Sequence, residues 1–120
     1  MTNLNNSKIV LVTGSRTGIG KETGIVFARN GYKVIFSGRK PGDCSSTVKK
    51  LLAESFEVSE IPIDLSDISN LEANVNRALE VWGGLDILIN NAAIIDPITS
   101  LKEIRAPELE ISTIINFVAP

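Results

Sequence analysis

What most constrains this chain is the way it leaves its first apolar run. Ile9-Val10-Leu11-Val12 is a short, continuous, mostly β-branched stretch, the pattern of a strand buried on both faces. It passes directly into Thr13-Gly14-Ser15-Arg16-Thr17-Gly18-Ile19-Gly20, after which residues 18–30 carry helical spacing. A chain that leaves a parallel strand to enter a helix turns sharply, and glycine accepts the dihedrals that such a turn requires.

The same alternation continues. Residues 33–37 (KVIFS), 57–61 (EVSEI) and 86–90 (DILIN) read as further strands, the second of these the weakest. Between them the apolar residues fall at helical intervals. Ile19, Thr23, Val26 and Phe27 are placed on one face of the first helix, with Gly31 as its C-terminal stop. Val48, Leu51 and Leu52 mark a shorter second helix. Ile68, Leu71, Val75, Ala78, Leu79 and Trp82 mark a third, started by Ser66 and Asp67 and stopped by Gly83-Gly84. A last helical stretch begins near Ser100, where Ser100 and Glu103 suit a capping box, and restarts after Ala106-Pro107 with Ile111, Ile114, Ile115 and Val118 inward. The order β-α-β-α-β-α-β-α implies right-handed crossovers and a parallel sheet covered on both faces. The expected fold class is therefore α/β, a doubly wound parallel sheet with flanking helices.

Composition removes several functions. There are 120 residues, enough for one small domain, with 43% hydrophobic residues. The lone cysteine, Cys44, excludes a disulfide framework and any Cys-rich metal centre. With no histidine, His-based triads and His-ligated metals are also excluded, so no metal site is expected. A net charge of -2 leaves no footprint for nucleic acid or an anionic membrane. No apolar run approaches the ~20 residues of a membrane span, and residues 1–7 form a polar tail unlike a secretory leader. These features read as a cytoplasmic protein.

The glycine-rich turn has two readings. It is either a tight strand-to-helix connection or a phosphate cradle. In the second, a backbone without a side chain at Gly18 admits a pyrophosphate to the free amides of a helix N-terminus. The spacing T-G-x-x-x-G-I-G resembles the cofactor loop of the short-chain dehydrogenase/reductase family. Later landmarks extend that resemblance over nearly the whole chain: Asp64-Leu65 after the third strand, Asn90-Asn91-Ala92-Ala93 at the end of the fourth, and Asn116 in the final helix. Ala93 departs from the family's glycine. The resemblance implies a Rossmann-type sheet in the order 3-2-1-4. It also implies a dinucleotide held by Gly14, Ser15, Arg16, Thr17, Gly18, Ile19 and Gly20, with Asp64 and Leu65 near the adenine. Asn91, Ala92 and Ala93 would lie on the nicotinamide side, with Asn116 as a catalytic residue. Read for itself, Asp64 equally suits a cap for the helix that follows.

Cofactor choice is read after the second strand, where a carboxylate favours NAD and a basic residue favours NADP. Here Ser37-Gly38-Arg39-Lys40 has no acid before Asp43, and Arg16 adds a second guanidinium. Planar guanidinium groups suit the 2′-phosphate, although Arg39 and Lys40 also fit plain solvated loop charges. NADP is expected, NAD less so.

The family's catalytic Tyr-x-x-x-Lys pair and Ser are not found. The only tyrosine, Tyr32, is followed four residues on by Phe36 and reads as a packing residue. Together with an apolar, uncapped end at Phe117-Val118-Ala119-Pro120 and an aliphatic fourth strand, this gives two expectations. The first is the cofactor-binding half of a family oxidoreductase, 1–120 being one partial domain that needs its other half to act on a carbonyl or alcohol. The alternative is a non-catalytic NADP(H)-binding or assembly module that pairs through its open sheet edge as a homo-oligomer or with a fragment partner. Cys44, with no histidine or second cysteine nearby, reads as incidental, Arg39 and Lys40 being the groups that could raise its reactivity modestly.

Overall fold

The computed structural model describes residues 8–91. Within them the chain runs β1 (Ile9–Val12), α1 (Gly18–Arg29), β2 (Lys33–Phe36), α2 (Ser45–Ala53), β3 (Val58–Glu60), a 3-10 turn (Ile68–Asn70), α3 (Leu71–Trp82) and β4 (Ile87–Ile89). All pairings are parallel and the strands lie in the order β3-β2-β1-β4. Val12 stands opposite both Phe36 and Ile89, so β1, β2 and β4 end together. That shared carboxyl edge is where open α/β sheets take their ligands.

Side-chain alternation along the strands divides the core in two. Val10, Val12, Val34 and Phe36 pack with Ala28 of α1 and with Val48 and Leu51 of α2. Ile9, Leu11 and Ile35 face the other way, onto Ile63 and Ala78, with Leu71, Val81, Trp82 and Leu85 around them. The sheet is thus covered on both sides, which explains strands without polar alternation.

Helix ends follow their local chemistry. After α1, Gly31 adopts a positive φ of 91° and its N–H bonds Ala28 O, while Tyr32 N–H bonds Phe27 O. This reciprocal pair closes the last turn. Gly83 ends α3 in the left-handed region. The second helix ends the same way without a glycine: Ser55 takes φ 71°, and Phe56 N–H returns to Leu51 O. Its start is capped from another element, since Glu60 at the end of β3 accepts bonds from Cys44 N–H and from Ser45 Oγ.

The structure corrects four sequence expectations. The α1 residues that face the sheet are Gly20, Gly24 and Ala28. Ile19 is 79% exposed and Val26 58% exposed, so the large apolar residues do not form the packed face. The reason is distance: a Cβ on Gly24 would lie 2.8 Å from Phe36 Cζ and nearer still to Cε1. The helix sits so close to β2 that only small residues fit. On α2, Thr47 is buried with Val48 and Leu51, and Leu52 is exposed. The 68–82 helix opens as a 3-10 turn. Asp67 stands at its N-cap but spends its carboxylate on the Ser69 and Asn70 side chains, while Ile68 and Leu79 are exposed. Cys44 is buried, and burial, followed by the nearby Glu60 carboxylate, pushes its thiol up to about 11. Its neighbouring bases do not activate it.

Tyr32 packs edge-on against Phe27, centroids 4.9 Å apart, beside the first core layer. Trp82 is half-buried in the second, with Lys33 Nζ 6.0 Å from its ring centroid. Residues 1–7 and the helical stretch expected beyond residue 100 lie outside the described residues.

Candidate functional site

The loop 13–17 is suspended between the two strands flanking β1. On the β2 side, Ser15 is fully buried and bonds Ser37 reciprocally. Ser15 N–H donates to Ser37 O at 2.9 Å, and Ser37 N–H donates to Ser15 Oγ at 2.8 Å. Ser15 Oγ donates in turn to Val12 O at 2.9 Å. On the β4 side, Thr13 N–H bonds Ile89 O, Asn91 N–H bonds Thr13 Oγ1, and Asn91 Nδ2 donates to Gly14 O, each at 3.1 Å. Every buried polar group engaged here fixes the loop's position rather than its own side chain alone.

Three glycines have distinct tasks. Gly14 and Gly18 take φ of 62° and 65°, the left-handed region that a side chain resists. At Gly18 a Cβ would meet nothing within 4 Å, so the space above it is open. At Gly20 a Cβ would fall 2.5 Å from Gly14 O and against the Asn91 amide. Gly20 therefore serves the contact between helix and loop, and Gly18 serves what lies outside.

The N-terminus of α1 is bare. Thr17 stands at the N-cap in extended backbone but its side chain makes no capping bond, and no acidic residue occupies the first turn. A 12-residue helix is left with its first amides and the positive end of its dipole facing open space. Arg16, Thr17, Gly18 and Ile19 are all exposed around it. A negatively charged ligand is the group this arrangement accommodates, and a pyrophosphate fits it.

Beyond β2, Gly38 is buried against Asp43, whose carboxylate accepts from Lys40 N–H at 3.0 Å. Ile63 N–H bonds Gly38 O at 2.9 Å and so extends the β2–β3 pairing by one link. The next residue on each side is charged, and the two meet: Arg39 Nε lies 3.3 Å from Asp64 Oδ2. Asp64 Oδ1 accepts from Ser66 N–H and Oγ at 3.0 and 2.6 Å. Partial burial raises the Asp64 pKa, but the Ser66 bonds and Arg39 outweigh it and hold the carboxyl below its usual value. Asp64 thus caps the following turn and pairs with Arg39 at once. Leu65 is half-buried among the residues of the second core layer.

Of the residues singled out in the sequence, 14–20, Arg39, Asp64, Leu65 and Asn91 share the carboxyl edge of the sheet. Ala92, Ala93 and Asn116 lie outside the described residues. Sequence reasoning missed Ser37 as the anchor of the loop. Its anchoring groups are the main-chain N–H and carbonyl, which any residue there would offer, so the identity of residue 37 carried no signal.

The family model for short chain dehydrogenases matches residues 8–120. The chain belongs to the short chain dehydrogenase family. Among its relatives, the uncharacterized oxidoreductase YxjF of Bacillus subtilis is 40% identical over 87 residues, 72% of this chain and 34% of that protein. The chloroplastic NADPH-dependent aldehyde reductase 1 of Arabidopsis thaliana is 34% identical over 110 residues, 86% of this chain and 38% of that one. Among solved structures, a short chain dehydrogenase from Burkholderia cenocepacia in complex with NADP superposes with a TM-score of 0.88 at 30% identity. The match covers 98% of this chain and 48% of the other. A blue fluorescent protein from a metagenomic library, in complex with NADPH, gives 0.87 at 29% identity and 99% and 49% coverage. The chain spans about a third of the length of the curated relatives and about half that of the solved structures it matches. No helix among the described residues is long and apolar enough to cross a membrane.

Proposed function

We propose that this chain forms the cofactor side of an oxidoreductase that binds NADP(H) and works on a carbonyl or alcohol substrate. The observation that carries this reading is the uncapped α1 N-terminus beneath the open space at Gly18, in a family whose similar structures hold NADP or NADPH. The amides of 18–20 bind the pyrophosphate, and Ser15 and Asn91 keep the loop shaped for it from behind. Arg16 and Arg39, both exposed, bind the 2′-phosphate. The absence of a carboxylate directly after β2 favours NADP over NAD, because an acid there would repel that phosphate. Asp64 and Leu65 border the adenine, and Ala92-Ala93 the nicotinamide ribose.

The bound dinucleotide supplies the hydride. What this chain does is bind and orient it, since carbonyl reduction also needs a proton donor held near neutral pKa. Tyr32 is committed to packing on Phe27, away from that edge. Asn116 is the catalytic residue the chain contributes, and the proton donor comes from outside these 120 residues.

Calorimetric titration of the purified protein with NADPH and NADH tests the reading. Micromolar NADPH binding, much weaker NADH binding, and at least a tenfold loss for NADPH in Gly18→Ala are expected. A folded sample that binds neither nucleotide, or both equally, refutes it.

A further inference from the structure

Arg39 and Asp64 are 25 residues apart in the chain and meet because each directly follows the same backbone link, Ile63 N–H to Gly38 O. One oxygen of Asp64 is fixed by two bonds from Ser66, so the carboxylate cannot swing, and the other oxygen is aimed at Arg39 Nε. Bonding at Nε leaves all four Nη hydrogens, the planar fork that matches phosphate oxygens, unspent. The Arg39 side chain is otherwise 60% exposed and, without this contact, free to sample many rotamers.

We propose that Asp64 is a positioning residue for cofactor selection: it tethers the Arg39 guanidinium so that its fork faces the 2′-phosphate. This rests on the NADP(H) reading above. The pair, rather than Arg39 alone, then sets the preference for NADPH over NADH. A carboxylate near a phosphate would ordinarily oppose binding. Here its charge is spent on the guanidinium edge that the phosphate does not need.

Asp64→Asn separates the possibilities. The amide keeps an oxygen for Ser66 and presents an NH2 to Nε, so the cap survives and the tether does not. NADPH and NADH affinities are measured by calorimetry for the wild type, Asp64→Asn, Arg39→Met and the double variant. The Arg39 Nε–Hε cross-peak is followed by 15N NMR in ligand-free protein. The expected result is a fall of about two- to fivefold in the NADPH-to-NADH affinity ratio, the range that an exposed ion pair couples. That fall vanishes in the Arg39→Met background, and the cross-peak moves in Asp64→Asn before any nucleotide is added. An unchanged ratio, a ratio that rises because the carboxylate competed with phosphate, or an equal loss for both nucleotides through the adenine overturns the proposal. A wild type without NADPH preference overturns the NADP(H) reading itself, and the tether's role in selection with it. The cross-peak reports the contact independently of either.

Discussion

Gly24 stands in the middle of α1, where local preference and packing predict opposite signs for one substitution. In an isolated helix, Gly24→Ala stabilises by about 1 kcal/mol. In this fold the new methyl meets the Phe36 ring at 2.8 Å or less. Phe36 is fully buried on the central sheet, enclosed by α1, α2 and the neighbouring strands, so the ring has nowhere to retreat. Overpacking a filled core typically costs about 1–3 kcal/mol. Subtracting the helix gain of about 1 kcal/mol leaves a net destabilisation of about 1 kcal/mol, within a range from zero to about 2 kcal/mol. For a domain of this size that lowers Tm by about 4 °C per kcal/mol. Urea unfolding monitored by the Trp82 fluorescence and far-UV circular dichroism reads the change. Phe36→Leu in the Gly24→Ala background makes room, so the two substitutions together cost at least about 0.5 kcal/mol less than their sum. A Gly24→Ala protein more stable than the wild type refutes the close approach of α1 to β2.

Two further outcomes follow from particular residues. Ser55 occupies a left-handed position without being glycine, so Ser55→Gly raises stability by about 1 kcal/mol, read as a shift in urea midpoint. The Cys44 thiol is raised from 9.0 to about 11 in the fold. The folded state therefore keeps its proton while the unfolded chain loses it. The stability from this group is fully present below pH 9 and is lost as pH rises towards about 11. Urea midpoints measured from pH 8 to 10.5 show a steeper decline for the wild type than for Cys44→Ala, and parallel curves count against the buried thiol.

The alternation of strand and helix was readable because buried parallel strands appear as short apolar runs and helices as spaced ones, and Ile9 to Val12 followed by the 14–20 loop is clear on both counts. The face of α1 was not readable. Periodicity weights large side chains, whereas this helix packs through Gly20, Gly24 and Ala28, which carry almost no hydrophobic signal. The cap on α2 was hidden for another reason, since Glu60 reaches it across the fold from β3. The loop's glycines were legible in type, but their separate tasks were not. Gly18 and Gly20 are distinguished only by what a Cβ would meet. Asp64 shows the remaining limit. Local sequence offered the cap and the family resemblance the adenine contact, whereas its pairing with Arg39 depends on two loops that only the sheet brings together.

The mutual bonds of Ser15 and Ser37 join the turn after β1 to the tip of β2. The dependence runs one way, since the only side chain in this junction is that of Ser15. Ser37 contributes only its main-chain N–H and carbonyl, so an engineer can rewrite the side chains of residues 37–39 to exchange one dinucleotide for the other without cutting these bonds, whereas replacing Ser15 removes the hydroxyl that holds Ser37 N–H. Side-chain swaps within 37–39 should then change nucleotide preference with the 13–17 turn intact, whereas Ser15→Ala should weaken binding of both nucleotides alike.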